Sequence, residues 1–99
     1  MSFVTAMSEA MTATAGGLQD VGAAVTAGNA AAATPTTGVI PAAADAVSAL
    51  TAVQFATHAQ MYQAISAQAA TIHAMFVATL GASAGSYAAT EAATAATLF

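Results

Sequence analysis

Lysine, arginine, cysteine and tryptophan are absent from the 99 residues, and the first three absences each close off a class of chemistry. Without cations the chain cannot neutralise a phosphate backbone, so nucleic-acid binding is excluded. Adhesion to anionic lipid through a polybasic patch goes with it, as does any salt bridge to a Lys or Arg of its own. Without cysteine there is no disulfide, no thiolate nucleophile and no thiolate metal ligand. Charge is scarce altogether: Glu9, Asp20, Asp45 and Glu91 carry the whole formal charge of −4. They are dispersed along the chain and match no acid/base pair spacing.

Alanine fills the gap, making up about a third of the sequence, and 59% of residues are hydrophobic. Alanine is the strongest helix former, but its methyl group buries little area, so the larger apolar residues report packing. Mean hydropathy is +0.74, which raises the question of a membrane span. Spanning needs roughly 20 consecutive apolar residues. The apolar run from Thr51 to Leu80 is broken by Gln54, His58, Gln60, Gln63, Gln68 and His73. A helix there carries amides on several faces, which argues against a span. The N-terminus also lacks the basic region and compact apolar core of a Sec signal peptide.

Helix signals are strong on both sides of one interruption, Thr34-Pro35-Thr36-Thr37-Gly38-Val39-Ile40-Pro41, which reads as a connection. Pro41 suits the first turn of a following helix, and Asp45 lies near its positive end. The spacing predicts helix 1 over about 5–34, capped by Ser8 or Thr5, a connection over about 35–41, and helix 2 over about 42–81. Before the break, Val4, Met7, Met11, Thr14, Leu18, Val21 and Val25 step alternately by 3 and 4, a heptad seam. After it, Phe55, His58, Tyr62, Ile65, Ala69, Ile72 and Phe76 do the same, with a second apolar line that includes Leu50. Gly16, Gly17, Gly22 and Gly28 weaken helix 1 but permit a second helix to come close. Gly81-Ala82-Ser83-Ala84-Gly85-Ser86 predicts an end to helix 2 and a flexible tail over about 82–99. The expectation is a single all-α domain, an antiparallel two-helix hairpin. Helix 2 is apolar over a wider arc than one neighbour covers, so a four-helix arrangement with a partner would bury the rest.

Chemistry finds no foothold. His58 and His73 are fifteen residues apart on one helix, about 22 Å along its axis, too far to share an ion. There is no Gly-x-Ser-x-Gly elbow, and a phosphate loop needs a lysine. No catalytic residue, metal or cofactor is expected. One pair stands out: Tyr87 and Glu91 project on one side of a helical turn, about 40° apart, a compact recognition handle.

The opening Met1-Ser2-Phe3-Val4, the stretch from Thr36 through Gly38-Val39-Ile40-Pro41 to Ser48, and the terminal Tyr87-Ala88-Ala89-Thr90-Glu91 together resemble the mycobacterial PE proteins, substrates of type VII secretion. The resemblance covers essentially the whole chain and is strongest to those of the fifth ESX system. One departure is Ser8-Glu9 where the family has Pro-Glu. The resemblance implies a heterodimer with a PPE protein whose helices complete a four-helix bundle. It implies that Tyr87 and Glu91 form the secretion signal, read with a Trp-x-Gly turn of that partner. It further implies an EspG-type chaperone acting chiefly through the PPE subunit, and export from the cytoplasm by the type VII machinery to the cell surface, outer envelope or medium. The expected hairpin and partner seams are Val4, Met7, Met11, Leu18, Val21, Val25, Leu50, Phe55, Tyr62, Ile65, Ile72 and Phe76. The rival expectation is an envelope-associated structural or solute-channel component formed with the same partner.

Overall fold

The computed structural model describes residues 4–97. Positions 1–3, part of the opening motif, and 98–99, the end of the expected tail, lie outside the described residues. Two helices account for nearly all the rest: α1, Ser8–Thr37, and α2, Ala46–Thr97. No strand occurs among the described residues. The chain is all-α, with the two helices packed against each other as a hairpin.

α1 starts later than the sequence suggests. The Met7 carbonyl accepts the Ala10 and Met11 amides at 3.1 and 3.3 Å, so Met7 holds the cap position and Ser8 is already helical. Neither Ser8 nor Thr5 serves as the cap. At its other end α1 runs through Pro35 to Thr37, three residues beyond the expected stop. Proline removes one amide donor near the helix end, the one that would reach the Ala31 carbonyl, and hydroxyls add bonds to the two carbonyls that follow it. Thr36 Oγ1 donates to the Ala32 carbonyl and Thr37 Oγ1 to that of Ala33, at 2.5 and 2.6 Å. The Gly38 amide closes the last turn on Thr34 at 3.0 Å.

α2 begins at Ala46, not near residue 42, and Pro41 stays in the connection. Asp45 decides the start: its carboxylate accepts the Ser48 amide at 3.2 Å and its carbonyl accepts the Ala49 amide at 3.1 Å. The Ser48 hydroxyl, and then the Ser48 amide, hold the carboxyl below its ordinary value of 3.8. Folding therefore favours the charged form. Its contribution is complete above about pH 4 and is lost as pH falls through the lower folded value. The amide shifts of Ala46 to Ala49 should report fraying over that acid range, and Asp45→Asn, which keeps an acceptor but cannot titrate, should abolish the transition. An identical acid response in the variant would show that Asp45 is not the cap that matters.

α2 does not stop at residue 81 but continues to Thr97, so the expected flexible tail is helical as far as that residue. Neither Gly81 nor Gly85 takes a positive φ, the turn that would end the helix there. The alanines that follow carry it on.

Contacts divide the chain into two compact units, one made of residues 1–22 and 73–99 and the other of 23–72. In the first, Ala15 and Ala84 are buried, and Met11, Leu18, Gly22, His73, Val77, Leu80 and Glu91 are half-buried. In the second, Ala52 and Ala59 are buried, and Asn29, Ala32, Ala33, Ala56, Gln63 and Ser66 are half-buried. Residues 11, 15, 18 and 22 step by 4, 3 and 4, and residues 52, 56, 59, 63 and 66 by 4, 3, 4 and 3. Both units thus pair their helices through a heptad line, but the line is made mostly of alanine and polar side chains. A buried methyl contributes about 0.8 kcal/mol, so this seam holds the pair only weakly.

Candidate partner-binding surface

Apart from Met11 and Leu18, the large apolar side chains predicted as seams stand beside that line. Val4, Met7, Val21, Val25, Leu50, Phe55, Tyr62, Ile65, Ile72 and Phe76 are all exposed, Phe55 by 63% and Ile65 by 60%. Met11 and Leu18 are half-buried. No one of the twelve is fully buried: Met11 and Leu18 lie on the line between the helices, and the other ten are left uncovered within the chain. Alanine and glycine let the two backbones approach, and the bulky positions flank the line of contact. On α2, Phe55, His58, Tyr62, Ile65, Ile72 and Phe76 follow one flank, each one helical turn or two from the next.

In the 23–72 unit this flank forms an open groove of about 360 Å³, lined by Ala32, Pro35, Thr36 and Val39 on one side and Phe55, His58, Ala59, Tyr62 and Gln63 on the other. A second hollow of about 260 Å³ lies beneath the connection, bounded by Val39, Ile40, Val47, Thr51 and Phe55 among others. Phe55 borders both. The lining is apolar apart from hydroxyls, one amide and one imidazole, so it suits another apolar surface better than a charged ligand.

Polar ties fix the helices within each unit. Tyr62 donates its hydroxyl to Asn29 Oδ1, and Gln63 Nε2 donates to the Asn29 carbonyl, both at 2.9 Å. In the other unit His73 Nε2 lies 2.6 Å from the Leu18 carbonyl. A carbonyl only accepts, so Nε2 carries the proton. Gly22 makes room for this ring: a Cβ there would sit 2.7 Å from His73 Cδ2 and 2.9 Å from Nε2. Gly16, Gly17 and Gly28 would meet nothing within 4 Å, so close approach applies to Gly22 alone. Asn29 is the one asparagine in the chain, set inside a helix that it disfavours; that oddity was the signal for its role.

Tyr87 and Glu91 lie one turn apart on α2. Tyr87 is 50% exposed, three residues after Ala84, which is 1% exposed and the most buried alanine. Glu91 is half-buried, and its Oε1 accepts the Ala6 backbone N–H at 2.8 Å. This contact spans 85 residues of sequence, and no local pattern marks it. Among the described residues no three or more histidines and carboxylates converge as a metal site would need. His58 lines the groove without an acidic neighbour in its lining. α2 is long and apolar enough to cross a membrane by length and composition.

Comparison with known proteins adds the family. The PE family model matches residues 4–94. The chain is 65% identical over 96 residues to the PE family protein PE13 of Mycobacterium tuberculosis (strain ATCC 25618 / H37Rv), spanning 97% of each chain. It is 57% identical over 98 residues to PE-PGRS family protein PE_PGRS33 of the same strain, covering 99% of this chain and 20% of that one. It is 53% identical over 91 residues to PE family protein PE8, also of that strain, covering 92% of this chain and 33% of PE8. The sequence thus matches nearly all of one relative and a minor part of two longer ones.

Proposed function

The chain belongs to the PE family, and from that premise we propose that it is the PE-type subunit of a secreted heterodimer with a PPE-type partner. The partner lays a pair of helices along the exposed apolar flank and completes a four-helix bundle. The pair leaves the cytoplasm through a type VII system, by analogy the fifth ESX system, with Tyr87 and Glu91 as the export signal. An EspG-type chaperone holds the pair beforehand, chiefly through the PPE subunit. The role is assembly and export, without catalysis.

One observation carries this reading: the large apolar residues that a self-sufficient hairpin would bury stand exposed, Val4, Met7, Leu50, Phe55, Ile65, Ile72 and Phe76 each by more than half. Water does not tolerate such a surface on a lone soluble chain, and exposed apolar patches mark interaction sites. Because the chain offers no lysine or arginine and only four carboxylates, the contacts that cover it are mainly apolar and hydrogen-bonded.

Co-expression tests the reading. Alone, the chain should self-associate or precipitate; with a PPE-type partner it should elute as a one-to-one complex that melts cooperatively. A monodisperse monomer with its own cooperative transition would overturn obligate pairing. A second reading, an envelope-associated channel built with the same partner, draws support from the length and apolarity of α2. Detergent-resistant envelope association of the exported pair favours it, and recovery in the medium favours the first.

A further inference from the structure

Glu91 is tied to the opposite end of the chain. Its half-buried carboxylate accepts the N–H of Ala6 at 2.8 Å. Ala6 lies immediately before the Met7 cap of α1, so the carboxylate also sits by the positive end of that helix, where a negative charge is favoured. The turn that carries Tyr87 is intrinsically weak, with Gly81 and Gly85 just ahead of it and each glycine costing about 1 kcal/mol of helix propensity. A Cβ at either glycine would meet nothing within 4 Å, so no packing at those positions offsets their cost. The bond from Glu91 to Ala6 fastens α2 on the far side of this weak stretch, one turn beyond Tyr87.

Building on the export signal proposed above, we infer that Glu91 is a positioning residue in that signal: it clamps the last turns of α2 to the Ala6 amide so that Tyr87 is presented on an ordered helix, and its charge is not what the secretion machinery reads. The signal then has a third member, the backbone N–H of Ala6, contributed by the N-terminal segment.

The test uses the full chain in complex with its partner in a secretion-competent host. Ala6→Pro deletes the N–H without touching Glu91. Glu91→Gln removes the charge but keeps an acceptor oxygen, and Glu91→Ala removes both. Ala6→Pro and Glu91→Ala should each lower export at least tenfold and speed amide exchange across residues 86–94. The double variant Ala6→Pro with Glu91→Ala should be no worse than either alone, because both break the same bond. Glu91→Gln should keep more than half of wild-type export. Wild-type export by Ala6→Pro in an intact complex would overturn the inference, and so would a Glu91→Gln variant as defective as Glu91→Ala. If Ala6→Pro fails to form the complex, the Glu91→Gln result decides. Normal export of Tyr87→Ala would instead strike at the signal itself, which keeps the two failures apart.

Discussion

Phe55→Ala combined with Ile65→Ala should weaken the complex with a PPE-type partner a thousandfold or more while leaving the helix content of the isolated chain unchanged. Both side chains are exposed within their own chain, so their truncation removes little from the hairpin. Their value is realised on docking. Phe55 borders the groove and the hollow beneath the connection, the setting in which an aromatic anchor contributes most to an interface. Truncating such an anchor costs about 2–4 kcal/mol, and a buried isoleucine about 2–5 kcal/mol. The two positions are ten residues apart on one helix, roughly 15 Å along its axis, far enough for the losses to add. A total of at least about 4 kcal/mol corresponds to a factor of 10³ in Kd. Calorimetric titration of the complex and circular dichroism of the chain measure the two sides. An unaltered Kd would remove the flank from the interface.

Tyr87→Ala should abolish export while the complex still assembles. The ring is half exposed, and the Glu91 bond to Ala6 does not involve it, so alanine there keeps the helix. What it deletes is the one large side chain of the signal. Immunoblots of lysate and medium should find the variant retained, at the wild-type ratio of the two subunits in the cell. Wild-type levels in the medium would end the assignment of Tyr87.

Much of this architecture was legible in the residues. The break between Thr34 and Pro41 places the connection, and steps of 3 and 4 identify two helices. Periodicity, however, states which side chains share a face and not which face meets the other helix. Large apolar residues are the usual core, yet here Ala15, Ala52, Ala59 and Ala84 are the buried positions. In a chain one-third alanine, nothing distinguishes those four from the rest. The C-terminal stretch misled for a related reason. Gly81 and Gly85 are local stop signals, while the Glu91 tie to Ala6 that opposes them joins residues no sequence window contains. Tyr87 and Glu91 were visible as a pair; the structural half of Glu91's role was not. His73 could be placed near a seam, but its bond to the Leu18 carbonyl requires knowing that Gly22 lies opposite.

That last arrangement answers a problem peculiar to alanine-lined pairs. Slide one helix past the other by seven residues and methyl still faces methyl, so greasy contact alone scarcely penalises the slip. An imidazole that fits only where a neighbour lacks a side chain, like a phenol hydroxyl that closes only on the Asn29 side chain, tolerates no such displacement. The polar pegs therefore choose a single alignment among near-equivalent ones, and the bulky residues remain at liberty to be matched against a different polypeptide.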